Sequence, residues 1–389
     1  MTQSVRLVTM DDLVSHCLDY VGASVDERNV RNARRAVQSA FREVVSSREW
    51  AYYNQIGYIT TVASYSTGTI AYDHTGGANE RQVTLTTGTW PDWAASGTIL
   101  ISNIPYEVST RVSGSIITLT AANNPGADVA SGTTYTLYQD TYSLPGNFRH
   151  CDEMINFSNL AHVRYVDPAQ WLEMHRVLRA TGLPRVWTVQ PSHKYQGILA
   201  AKFFPPPDAI YRFDFMYQKR PRNLNVSLYD LGTVSTTDGS TTISGDGSYW
   251  TSAMVGAVIR ISSSTTDPVT GVEGENPYVI ERVITDVAST TSLTVDADPD
   301  QTLSDVTYSI SDPVDIEAGA MLTYLLRECE KQMRLIKRLQ PTPTEEIEHT
   351  NAKVVAWAAD NRARERMFQG DGVYAPYRLA DVPLGSNQP

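Results

Sequence analysis

His150-Cys151-Asp152-Glu153 is the densest run of metal-binding side-chain types in this 389-residue chain. Four neighbouring residues on a helix point in different directions and cannot converge on one ion. The run therefore reads as a helix start, with acidic residues near the positive end of the dipole. Asp296, Asp298 and Asp300 imitate the opening of a calcium loop, but Gln301 stands where that loop needs glycine and Thr307 where it needs a bidentate glutamate. A solvated acidic loop with no more than weak cation binding is expected there. The seven histidines are scattered, without a pair at metal-ligand spacing, and the sequence has no phosphate-loop, dinucleotide, nucleophile-elbow or zinc-protease motif. The expectation is a protein that is not an enzyme and that carries no cofactor and no metal.

Three further groups suit binding rather than catalysis. Arg362, Arg364 and Arg366, interleaved with Glu365, suit a DNA channel or a subunit contact, or equally a solvated helix face with i,i+4 pairing. Trp90, Trp93, Tyr106, Trp250 and Tyr278 would make a carbohydrate platform if exposed side by side, and otherwise fill cores or interfaces. Residues 370–389 are polar and rich in glycine and proline, yet carry spaced anchors: Val373, Tyr374, Pro376, Tyr377, Leu379, Val382 and Leu384, with Arg378 among them. A segment of that kind is expected to order on assembly as an extended arm.

The elements that must position these groups follow from composition. Hydrophobic residues make up 41% and charged residues 19%, enough apolar material for a core without disulfides or metals. The three cysteines, Cys17, Cys151 and Cys329, are odd in number and far apart, which excludes a disulfide framework and suits a reducing compartment. No apolar run approaches membrane-span length and the N-terminus lacks a signal-peptide core, so a soluble protein made and kept in the cytoplasm, without membrane insertion, is expected.

The net charge is −11, and it is unevenly spread. Residues 60–140 carry −4 and residues 228–312 carry −11, which leaves the rest at +4. Both acidic stretches are rich in Ser and Thr, with short alternating runs between turn residues, the pattern of all-β modules. They share an order of landmarks. Gly68-Thr69-Ile70 matches Gly232-Thr233-Val234, Trp90 matches Trp250, and Tyr106-Glu107-Val108 matches Tyr278-Val279-Ile280. SGSIITLTA matches STTSLTVDA, and Tyr135-Thr136-Leu137 matches Tyr308-Ser309-Ile310. One small sandwich or barrel used twice is expected, with a longer loop in the second copy.

The remainder reads as the core of an α+β protein: a helical bundle with a small antiparallel sheet, from which the two β modules emerge as insertions. Residues 1–59 supply two helices, the first capped at Thr9 and the second opened by a capping box over Ser24–Glu27, and they end at Trp50. Residues 141–227 supply a helix carrying Met154, Phe157, Leu160 and Ala161, a second helix starting at Asp167-Pro168, and three strands: RVWTVQ, GILAAKFF and AIYRFDFMYQ. Residues 313–369 supply two C-terminal helices.

The order of these parts resembles a family. Two amphipathic helices end in a tryptophan, and Leu144-Pro145-Gly146-Asn147-Phe148 precedes a helix pair. Gly182-Leu183-Pro184 turns the chain, a strand meets Phe204-Pro205-Pro206-Pro207-Asp208, and the Tyr-rich strand YRFDFMYQKRP follows. This looks like the head-to-tail adaptor (head completion or connector) proteins of tailed bacteriophages, most like those of short-tailed phages. The resemblance covers most of the core and little of the β modules. It implies a structural virion protein of the neck, assembled in the host cytoplasm as a homo-oligomeric ring, usually a dodecamer. Its partners would be the portal, which the C-terminal arm would grip, the tail tube or nozzle, and tail fibres. Genomic DNA would pass through the channel, with the acidic modules at the outer rim. The alternative from a different class is a receptor- or glycan-binding tail protein that uses its tandem β modules.

Overall fold

The computed structural model describes residues 7–368, apart from 75–76, 78, 152, 159–160, 178–179, 192–196, 264 and 266–277. The chain opens with α1 (Met10–Tyr20), whose capping box is complete: Thr9 and Asp12 exchange side-chain and backbone hydrogen bonds. Helix α2 (Glu27–Ser46) buries Ala33, Val37, Ala40, Phe41 and Val44 along one face. Its cap is Asp26, which accepts from the Asn29 N–H at 2.8 Å, and not a box built on Ser24. Trp50 follows, buried, with Nε1 donating to the Val44 carbonyl at 2.8 Å.

The described residues before Tyr53 and after Arg220 form one compact unit; Tyr53–Arg220 form a second. The second unit starts with β1 (Asn54–Thr60) and continues into the first module: β2 (Ile70–Asp73), β3 (Gln82–Leu85), β4 (Thr98–Ile101), β5 (Ile104–Arg111), β6 (Ile116–Leu119), β7 (Val129–Thr133) and β8 (Tyr135–Tyr138). After it come β9 (Thr141–Ser143), β10 (Phe148–Cys151), β11 (Glu153–Asn156), β12 (His162–Tyr165), α3 (Pro168–Val177), β13 (Val186–Pro191), β14 (Leu199–Phe204) and β15 (Arg212–Lys219). These strands and β1 make an eight-stranded sheet in the order β1-β15-β11-β12-β13-β14-β9, with β10 also paired to β15. Among the described residues only β12–β13 is parallel. Phe213, Phe215 and Tyr217 alternate into its core with Phe148, Met154, Trp187 and Phe203, as the Tyr-rich pattern requires.

The first unit takes up again with the second module: β16 (Thr233–Thr236), β17 (Thr242–Asp246), β18 (Val258–Ser262), β19 (Tyr278–Ser289), β20 (Ser292–Val295), β21 (Leu303–Val306) and β22 (Tyr308–Ser311). Helices α4 (Ala320–Lys337) and α5 (Pro343–Phe368) complete it. Helix α4 buries Met321, Leu325, Cys329 and Met333.

The two modules are the same fold. Their sheets run β7-β2-β3-β6-β5-β4-β8 and β21-β16-β17-β20-β19-β18-β22, identical in order strand for strand. The packing devices repeat as well. The Tyr65 N–H donates to the Leu137 carbonyl at 2.8 Å and the Tyr229 N–H to Ile310 at 2.9 Å. Their hydroxyls accept from Thr89 N (3.2 Å) and Tyr249 N (2.7 Å), each the residue before a buried tryptophan. Tyr135 and Tyr308 donate to the carbonyls of Thr67 (2.8 Å) and Leu231 (2.6 Å). Both set an edge against the tryptophan, Trp90 at 5.2 Å and Trp250 at 6.0 Å between centroids. Gly68 and Gly232 have φ of +78° and +86°, and a Cβ at either would stand 2.3 Å from a backbone oxygen, so only glycine fits.

One landmark is corrected. The backbone bonds Val108 N to Gly97 O and Ile284 N to Ala257 O are equivalent. Tyr106 opposes Ile99 as Arg282 opposes Ile259, so Tyr106 corresponds to Arg282 and not to Tyr278. Strand β19 extends further back than β5, which carried the sequence match out of register.

The expected class is also corrected. Three β sheets dominate, two half-barrels and one nearly closed barrel, with five helices among the described residues, rather than a helical-bundle core with a small sheet. Part of the cause is local. The stretch containing Met154, Phe157, Leu160 and Ala161 is not a helix: β11 and β12 form a hairpin there with Met154 paired to Val163. Leu160 lies outside the described residues. The 3–4 spacing of its apolar residues came from strands only four residues long, too short to display their own period.

Candidate functional site

Helix α5, which carries the predicted arginines, is docked by charge rather than by an apolar stripe. Of its described side chains only Ala356 and Asp360 are buried. The box at its start is Thr342 with Glu345, whose carboxylate accepts from the Thr342 N–H at 2.7 Å. Glu345 also meets Arg334 at 2.5 Å and accepts from Tyr20; the Tyr20 and Thr342 bonds hold its carboxyl at about 2. One turn on, His349 Nε2 lies 2.5 Å from the carboxylate of Glu328 on α4. Glu328 is fully buried and is further bonded to Gln332 (2.8 Å) and Lys331 (3.2 Å). Burial alone would raise its pKa; the bonds to His349, Gln332 and Lys331 outweigh that and bring it down to about 2.

The far end of α5 is held by Arg48. Its guanidinium pairs with Asp360 at 2.9 Å, donates to Asn361 Oδ1 and the Trp357 carbonyl, and lies over the rings of Trp50 and Trp357. Asp360 also accepts from the Ala51 N–H at 2.6 Å and from Arg364 Nε at 3.0 Å. Arg364 is thus taken up by an i,i+4 pair, while Arg362 is exposed and reaches back to its own helix at the Ala358 carbonyl, 3.4 Å away. The Arg366 side chain lies outside the described residues, as does the whole predicted arm with Val373, Tyr374, Pro376, Tyr377, Arg378 and Leu379. The described arginines do not converge; Arg362 alone of the pair presents its charge outward.

The remaining candidates are structural. His150 and Cys151 lie on β10 and Glu153 on β11, so the expected helix start is a strand pair; Glu153 meets His162 at 2.8 Å. Asp152 lies outside the described residues. Asp296 and Asp298 accept from the backbone N–H groups of Val283 and Gly239, and Asp300 pairs with Arg282 at 3.2 Å. Among the described residues no group of three or more His, Cys, Asp or Glu is set to hold a metal. Trp90, Trp250 and Tyr106 are buried in module cores and Trp93 packs half-buried against the core that holds Trp90, so Trp90 and Trp93 are not exposed side by side. Cys17 and Cys329 are buried free thiols. No helix among the described residues is long and apolar enough to cross a membrane.

Sequence reading missed one buried ionic centre. Arg260, 5% exposed in the middle of β18, binds both carboxylate oxygens of Asp12 at 2.9 Å, Glu281 at 2.9 Å and the Leu7 carbonyl at 2.7 Å. Next to it, buried Asp312 takes Arg222 and the N–H groups of Asn225 and Val226. The Arg260 bonds to Asp12 and Leu7 pin the second module to the start of α1. Burial, reinforced by Asp12, raises the neighbouring Asp11 to about 6. A visible signal was present: Arg260 is one of only two basic residues in 228–312 and sits in an otherwise apolar strand.

Compared with known proteins, the chain matches no family model, no curated protein and no solved structure.

Proposed function

We propose that the chain is a structural protein of a tailed-phage virion: a head-to-tail adaptor whose copies form a ring, twelve in the adaptors it resembles, between portal and tail. The observation that carries the reading is that several segments bearing the resemblance serve as framework, although the first helix of the pair expected after Phe148 is the β11–β12 hairpin. Trp50 caps α2 from within a core, Leu144 and Phe148 are buried on either side of the Pro145-Gly146 turn, and the Tyr-rich strand β15 pairs with β1, β10 and β11 of the eight-stranded sheet. Side chains consumed by packing in this order suit a scaffold subunit.

In that role Arg362 on α5 would face the DNA channel or a neighbouring subunit, and residues 370–389 would reach the portal or an adjacent copy as an ordered arm. The acidic modules would lie at the outer rim, away from phosphate, available to tail tube, nozzle and fibre proteins. The role requires no catalytic step and no cofactor. The burial of Trp90 and Trp250 inside the module cores favours this reading over the competing glycan-binding one. Immunogold electron microscopy of virions containing the protein tests the proposal. Label at the head–tail vertex is expected; label confined to fibre tips would overturn it in favour of the receptor reading.

A further inference from the structure

One face of the β1–β15 ribbon is apolar and open to solvent. Ile56 is 79% exposed, Tyr58 67%, Phe157 61%, Ile210 70% and Met216 57%. The register makes them one surface. Ile56 lies opposite Met216, Tyr58 opposite Asp214 and Thr60 opposite Arg212. The Arg212 guanidinium spans the gap, 4.9 Å from the Tyr58 ring and 5.1 Å from that of Phe157. The opposite face of the same strands, with Ile59, Phe213 and Phe215, fills the core, so the exposed residues are not a misread buried face.

Five such side chains expose on the order of 100–150 Å² each, roughly 600 Å² together. That is the upper end of what monomers leave uncovered, and it approaches the ~800 Å² per partner of a standard interface. Charge narrows the occupant. Arg212 is already paired with Asp214 at 2.8 Å, so the patch offers no free cation to phosphate and suits an apolar protein surface. Strand β1 also ends the sheet: among the described residues it pairs only with β15, so backbone groups along its other edge have no strand partner.

The chain itself carries a second, partly apolar surface of a different shape. At the α4–α5 turn, Leu335 and Leu339 are 62% and 51% exposed and form, with Pro341, the apolar part of a groove of about 360 Å³ whose lining also includes Lys331, Arg334, Glu346 and His349; Ile347, 60% exposed, stands on the adjoining turn of α5. The sheet patch projects aromatic knobs, and the helical groove is concave. Unlike patches on different parts of one chain can meet between copies, each covering the other in a two-fold dimer or successively in a head-to-tail ring. We infer that the outer face of β1–β15, centred on Tyr58, Phe157 and Met216, is a subunit contact that packs against the α4–α5 groove of a second copy of this chain. The inference stands on these surfaces and does not require the adaptor reading; the mass of the chain alone tests it, whereas binding to a portal tests the other.

The test mixes two pools of the full chain, both with Cys151→Ser, one carrying Tyr58→Cys and the other Leu339→Cys, under a short thiol cross-linker. A cross-linked pair is expected on mixing and not in either pool alone. Separately, Tyr58→Glu with Met216→Lys should weaken self-association at least tenfold by sedimentation velocity, with an unchanged thermal melt, because both side chains are exposed in the free chain. Self-association that persists unaltered in that variant, cross-linking of the Tyr58→Cys pool with itself, or a chain that stays monomeric to its solubility limit would each overturn the inference.

Discussion

Replacing Glu328 with glutamine is expected to loosen α5 from α4 by removing a buried charge while keeping the shape. The carboxyl moves from an ordinary 4.5 to about 2 in the folded chain. At 1.36 kcal/mol per unit, that shift corresponds to about 3 kcal/mol of stability at neutral pH. The sign follows from the direction of the shift. A depressed folded value means the contribution is complete above the unfolded pKa near 4.5 and is lost as pH falls towards 2. Glutamine can still accept from His349 and Lys331, so a loss of about 2–3 kcal/mol is the working figure at about pH 7, shrinking below 1 kcal/mol by about pH 2–3. Urea unfolding followed by tryptophan fluorescence reads this directly, since Trp50 and Trp357 flank Arg48 at the far end of α5. An equal loss at both pH values would mean that packing, and not the carboxylate, is responsible. No loss at neutral pH would refute the reasoning outright.

Asp11→Asn should act in the opposite sense. Because burial raises Asp11 to about 6, the wild type loses stability as pH rises from about 4 to 6, so the variant gains up to about 3 kcal/mol at neutral pH and nothing below about pH 4, by denaturant titration across that range. Gly68→Ala and Gly232→Ala force a side chain into a left-handed position 2.3 Å from a carbonyl oxygen; each should cost at least about 2 kcal/mol, with loss of amide protection confined to its own module by hydrogen exchange. Removing residues 370–389 should leave the melting temperature in place and weaken portal binding at least tenfold by surface plasmon resonance; unchanged affinity would leave the arm without that role.

The duplicated module was legible because its marks are local. Gly68 and Gly232 must take positive φ, each module buries one tryptophan, and the alternating β-branched runs report a half-buried strand whatever lies beyond them. Tyr106 is harder to place because the second module has more residues between β18 and β19 than the first has between β4 and β5, and only the pairing of Ile99 and Ile259 with their neighbours reveals the true register. The amphipathic faces of α1, α2 and α4 were legible too, yet a face states that it is buried without stating against what. Hence the expected helical-bundle core with a small sheet gives way to a fold in which β sheets dominate. The site residues were least legible. Arg364 and Asp360 are four apart and could be paired on paper, but Arg48 reaches them across more than three hundred residues, and so does His16 to Glu330. Arg260 and Asp12 are joined across 248 positions. Such pairs depend on the finished topology, which no local period encodes.

The native mass of the purified chain, alone and with its portal, tests the central proposal most directly. The account predicts a closed ring of identical copies that joins the portal in a fixed stoichiometry. A monomer or small open oligomer that ignores the portal and instead binds host-surface glycan would contradict it.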